Sequence, residues 1–203
     1  MTAQESPPLA GRVGEIRKTA IREMYDLAER QGGDLVRLEI GEPDFDTPNH
    51  IVDAALEAAR DGATHYTSNA GILPLREAIA EKSRREHDLD VDPGDVVATA
   101  GASEAILLTL LAVADDGDDV VLPTPAWPQY RMQIQLADAT PVEVPMDETD
   151  FELDVDRVID AMTDETACVI LNSPSNPTSQ IYDPEAVEAL VEAAADRDAY
   201  VIL

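Results

Sequence analysis

Lysine is almost missing from this chain. Two occur, Lys18 and Lys82, beside twelve arginines, and the 14 basic residues face 42 acidic ones, a formal net charge of −28 over 203 residues. That balance repels polyanions, which excludes nucleic acid and anionic membrane surfaces as partners. Cysteine occurs once, at Cys168, so no internal disulfide framework exists. It lies in the apolar run 167–171 and reads as a buried structural thiol rather than a nucleophile. Tryptophan also occurs once, at Trp127. No apolar run approaches the length of a membrane span. The first eight residues carry neither a basic segment nor an apolar one, so the expected location is the cytoplasm.

What is present points to a packed protein. High net charge alone suggests disorder, but 44% of residues are hydrophobic and fall in clear periods. The acids are spread along the whole chain. An acidic, lysine-poor surface on a packed core suits a high-salt cytoplasm, where salt screens the self-repulsion. An ordinary acidic protein from low salt is the alternative. The length admits one or two domains.

The hydrophobic pattern predicts a Pro/Gly-punctuated arm over 1–15 and a helix over 18–31, stopped by Gly32 and Gly33. A short strand is expected over 36–40. Thr47-Pro48 reads as a cap followed by a helix-opening proline, with the helix running to Arg60. A further helix is expected over 74–86. Strands over 96–100, 119–122, 141–144 and 167–171 then alternate with helices over 103–114, 127–136, 156–162 and 184–196. A last strand begins at Tyr200. This alternation predicts an α/β fold with a mainly parallel sheet and helices on both faces. Ending within an apolar strand, the chain reads as truncated.

Several segments carry chemistry. Gly101-Ala102-Ser103 falls where a strand gives way to a helix, a place where helix-opening amides bind phosphate, with Ser103 as a candidate cap. On its own it reads rather as a plain turn with Ser103 as its cap. Trp127 follows Pro123-Thr-Pro-Ala and offers a flat face for a planar ring, or a core side chain. Asn172-Ser-Pro-Ser-Asn176-Pro-Thr lies beyond a strand end, where open α/β sheets bind ligands. Tyr130 faces either the same pocket or a helix contact. His50, His65 and His87 show no metal-ligand spacing, so no metal site is expected.

Gly41-Glu-Pro-Asp-Phe, Tyr66 with Gly71 and Leu75-Arg76, Thr99-Ala-Gly-Ala-Ser103, Trp127 and Asn172-Ser-Pro-Ser-Asn-Pro-Thr occur in one order. In that order they resemble the first half of a class I/II aminotransferase, a fold type I enzyme dependent on pyridoxal phosphate (PLP). The resemblance covers nearly all of 9–203. It implies an arm and the start of a small domain over 1–47, and the first part of an incomplete PLP-binding large domain over 48–203. It implies that Gly101, Ala102 and Ser103 hold the PLP phosphate. Trp127 would then stack on the ring, and Asn176 would serve both the cofactor's phenolic oxygen and a substrate carboxylate. Tyr66 would donate to the phosphate in the partner of a homodimer, and Gly41 would let the backbone approach the substrate. Ser179 departs from the family, which usually has glycine there. Arg76 reads as structural.

By the same resemblance the substrates are an amino acid and a 2-oxo acid, exchanged through a Schiff-base lysine. Neither Lys18 nor Lys82 stands where that lysine belongs, so no catalytic residue is assigned and the 203 residues alone are expected to be inactive. Another reaction on the same scaffold, such as C–S lysis or decarboxylation, remains open, as does a non-catalytic remnant.

Overall fold

A computed structural model describes residues 9–203 other than 17, 18 and 34. Two compact units form, one built mainly from Ala102–Leu203 and one from Ala20–Gly101.

The first unit carries the sheet. After α1 (Gly11–Glu15), its elements run α5 (Ala102–Val113), β1 (Asp119–Thr124), α6 (Gln129–Leu136), β2 (Thr140–Pro145), α7 (Val155–Asp160), β3 (Thr166–Ile170), α8 (Pro184–Ala195) and β4 (Tyr200–Ile202). The four strands lie in the order β2-β1-β3-β4, and every pairing is parallel. Helical crossovers are what parallel neighbours require. The α/β expectation therefore holds, with each element from α5 onward within about two residues of its predicted span, whereas α1 falls in the stretch read as an arm.

Side chains alternate across the sheet as strand geometry dictates. Val120 and Leu122 of β1 and Cys168 and Ile170 of β3 pack with Leu110 of α5 and Tyr130 and Ile134 of α6. Val121 and Val169 point the other way, onto Val158 of α7 and Leu190 and Ala194 of α8. The register sets Val120 against Cys168 and Val121 against Val169, so each layer is continuous across both strands. Leu110, Ile134 and Leu190 are fully buried, and each side chain contributes about 1.5–3 kcal/mol by leaving water. Local chemistry starts the helices. The Asp154 carboxylate accepts from Arg157 N at 3.1 Å to open α7, and Asp183 accepts from Glu185 N at 2.8 Å to open α8.

The second unit contains α2 (Ala20–Gln31), α3 (Asn49–Arg60), α4 (Leu73–His87) and a 3-10 turn (Pro93–Asp95). Its buried apolar residues, among those described, are Ala80 and Val96. Apolar side chains such as Met24, Leu27, Ile51 and Leu56 stay exposed. Arg76 Nη1 donates to the Pro93 carbonyl at 2.9 Å and ties α4 to the turn. Gly71 has φ +95°, and a Cβ there would stand 2.8 Å from the Ala98 methyl, so only glycine fits.

Three local expectations fail in this unit. Residues 36–40 form no strand: Val36 and Leu38 are each 87% exposed, and no neighbouring strand offers a ladder among the described residues. Residues 96–100 also form no strand, and Ala98 N finds its acceptor in the loop carbonyl of Ala70. β propensity without a partner backbone does not make a strand. Finally, Pro48 is the N-cap of α3 with no side-chain cap, so Thr47 does not cap it. The predicted helix over 18–31 is α2, starting at Ala20; Lys18 lies outside the described residues.

Candidate functional site

The crossover from β1 runs to β2 on one side, and β3 then pairs on the other side of β1. The strand order thus reverses between β1 and β3, and ligands of open α/β sheets bind beyond the carboxyl ends at such a point. The β1 end leads through Pro125 to Trp127. The β3 end leads through Leu171 to Asn172.

Between α5 and the carboxyl ends of β3 and β4 lies a concavity of about 340 Å³. Ala102, Ile106, Tyr130, Leu171, Asn172 and Ile202 contribute to its lining. It is mainly apolar with a few polar groups, the usual make-up of a small-molecule site. Tyr130 is buried, and burial, followed by the neighbouring Tyr182, raises its phenol above the ordinary value. Trp127 is half-buried and meets Tyr130 edge to face, with ring centroids 5.4 Å apart and planes at 80°. That contact fixes the indole at the concavity's flank, although the indole is not part of its lining.

Helix α5 opens at Ala102 immediately after Gly101, whose φ of +97° suits glycine. The amides of Ala102 and Ser103 begin the helix and have no acceptor within it. Ser103 does not cap α5, as the sequence suggested; it is the second residue of the helix. Its hydroxyl donates to Gln129 Oε1 at 3.1 Å, and its carbonyl accepts from Gln133 Nε2 at 2.7 Å. Sequence reasoning passed over both glutamines. The signal was there for Gln133, a polar residue on the α6 stripe that buries Tyr130 and Ile134. Its Oε1 is buried and finds no hydrogen-bond partner among the described residues.

The loop after β3 is held by its own polar groups. Asn172 Oδ1 accepts from Asn176 N at 2.9 Å, Ser175 O accepts from Ser179 N at 2.8 Å, and Ser173 Oγ accepts from Tyr182 N at 3.1 Å. Ser179, where glycine is the family's usual residue, has φ +60°. The turn shape that favours glycine is thus kept with a side chain in place. Asn176 is exposed, and its side chain lies outside the lining that includes Asn172.

The other candidates belong to the second unit. Gly41 is exposed, and a Cβ added to it would meet nothing within 4 Å. Tyr66 is fully exposed at 108% of its reference area. Lys82 sits on α4, exposed, 3.6 Å from Glu86. In the first unit, Cys168 is fully buried in β3, and burial pushes its thiol up to about 12. No group of acidic, histidine or cysteine side chains suited to a metal occurs among the described residues.

Comparison with known proteins agrees with this geometry. The family model "aminotransferase class I and II" matches residues 33–203. A probable aspartate aminotransferase of Methanocaldococcus jannaschii is 40% identical over 194 residues, covering 96% of this chain and 51% of that protein. An aspartate aminotransferase of Pyrococcus abyssi is 39% identical over 196 residues, covering 96% and 50%. The solved aspartate aminotransferase of Thermus thermophilus with maleate superposes with a TM-score of 0.90 at 40% identity, covering 97% of this chain and 52% of that one. The chain spans about half the length of the curated relatives it matches. A match over most of the chain, taken with the parallel sheet and its strand-end loops, establishes that this chain belongs to the class I and II aminotransferases, a PLP-dependent family.

Proposed function

We propose that these residues form the N-terminal portion of a PLP-dependent aminotransferase that moves an amino group between an amino acid and a 2-oxo acid. The observation that carries this reading is the concavity between α5 and the carboxyl ends of β3 and β4, whose lining includes Ala102 of the opening turn, Tyr130 and Asn172. The donor set fits PLP. A glycine turn and a helix start suit a phosphate. A flanking indole suits a planar ring, and amide side chains suit ring oxygen and carboxylate.

When bound, PLP supplies the electron sink that lets a substrate lose its α-proton. The chain's own residues then have separate tasks. Gly101, Ala102 and Ser103 hold the phosphate, Trp127 packs on the ring, and Asn176 donates to the phenolic oxygen and to a substrate carboxylate. Gly41 admits the substrate, and the exposed Tyr66 serves the phosphate site of a second copy in a homodimer. Lys82, ion-paired on an exposed helix, takes no part.

The same reading includes a high-salt cytoplasm. The charge of −28 supports it. No helix among the described residues is long and apolar enough to cross a membrane.

The experiment assays this 203-residue chain and the product of the complete reading frame side by side, with PLP and several amino donors in molar KCl. Turnover by the longer product and none by the chain is the expected result. If the longer product eliminates or decarboxylates but does not transaminate, lyase chemistry replaces transamination. Turnover by the chain itself overturns the role given to its lysines.

A further inference from the structure

Ser103 is gripped at both of its polar ends by one helix. Gln133 Nε2 holds its carbonyl at 2.7 Å, and Gln129 Oε1, one turn earlier on α6, accepts its hydroxyl at 3.1 Å. Gln133 is only 6% exposed, on a helix face otherwise given to Tyr130 and Ile134. A leucine or methionine would fill that place without burying an amide. The amide's donor half is used on Ser103, and its acceptor half has no partner among the described residues. A buried glutamine that satisfies only one half is there for what that half holds.

What it holds is the peptide plane at the start of α5. An anion at a helix N-terminus is bound by amides whose directions are set by the opening turn. A tilt of that turn misaims them, because hydrogen bonds weaken steeply off line. Helix α5 is anchored by its apolar side chains from Ile106 and Leu110 onward, whereas its first turn is exposed. The two glutamines supply the anchor that the first turn lacks.

We infer that Gln133, assisted by Gln129, is a positioning residue for phosphate binding at the opening of α5. The inference rests on the PLP reading above. Neither side chain touches the phosphate; both act through Ser103. Removing the grip weakens ligands that carry a phosphate and leaves the same ligand without one unaffected.

The test uses the full 203-residue chain in molar KCl and titrates PLP and pyridoxal in parallel, read by quenching of the single tryptophan, Trp127. Gln133→Met keeps the volume and removes the donor. It is expected to lower the preference for PLP over pyridoxal about tenfold, the size of one lost charge-assisted contact. Gln129→Met, at a half-buried position, lowers it about threefold, a neutral contact. Pyridoxal affinity stays constant in both. A wild-type chain that binds both ligands equally refutes the phosphate site and the inference together. A wild-type preference retained in both variants refutes the inference alone. Parallel losses of PLP and pyridoxal affinity also refute it, since they show general damage. Should Gln133→Met fail to fold, an unchanged preference in Gln129→Met overturns the inference and a lowered one supports it.

Discussion

The backbone amide of Asn176 donates to the side-chain oxygen of Asn172, 2.9 Å away. The first asparagine of the loop therefore sets the position of the second. Asn172→Ala is expected to cost about 1 kcal/mol, the worth of an ordinary hydrogen bond. Asn172→Asp keeps the acceptor oxygen and costs less. Denaturant midpoints in high salt check the order. Equal losses in the two variants would show that the contact contributes nothing to the fold.

Trp127→Ala and Asn176→Ala separate stacking from hydrogen bonding at the proposed cofactor. In the complete enzyme, loss of the indole should weaken PLP by roughly 1 kcal/mol beyond lost area. Loss of the amide should cost about 1.5–3 kcal/mol and shift the cofactor's absorption. Equilibrium dialysis and absorption spectra decide. Unchanged affinity and spectrum in both variants would remove these residues from the site.

Ser179 occupies a left-handed conformation, φ +60°. That conformation costs an L side chain about 1–2 kcal/mol. Ser179→Gly is expected to raise the melting temperature, with the gain trimmed by the extra freedom of the unfolded chain. A lower melting temperature would mean that the serine side chain makes up for its own backbone.

Stability should fall on the alkaline side through Cys168. Its thiol ionises near 9.0 when unfolded and is pushed up to about 12 by burial. Between those values the folded state holds a proton that the unfolded state releases. The contribution is complete below pH 9.0 and shrinks as pH rises toward 12. Cys168→Ala should be less stable at neutral pH and lose less stability between pH 9 and 11, roughly the window set by that raised thiol. Urea melts across that range test it; parallel pH profiles would rule the thiol out as the cause.

The region 102–203 was legible because pattern and tertiary environment agree there. Val120-Val121-Leu122 and Cys168-Val169-Ile170 are apolar on both faces, which only a strand covered on two sides explains. Val36–Ile40 alternates apolar and charged residues and Val96–Ala100 is a short apolar run, and both patterns predict strands. A ladder depends on a neighbouring backbone, which a local run of residues cannot report. The candidate site was named from the order of motifs, and of the cofactor- and substrate-binding residues so named Ala102 lines the concavity. The site's support was not legible: Gln133 reaches Ser103 across a separation of 30 residues, and no local period reveals that pairing.

Strands β1 and β3 each send alternate side chains into two separate layers. A substitution at Val120 and one at Val121 therefore strain different rooms through a shared wall. A cavity opened on the α7/α8 side therefore lies one backbone away from the layer that packs α5 and α6, since Val121 and Val169 sit between neighbours that face that layer.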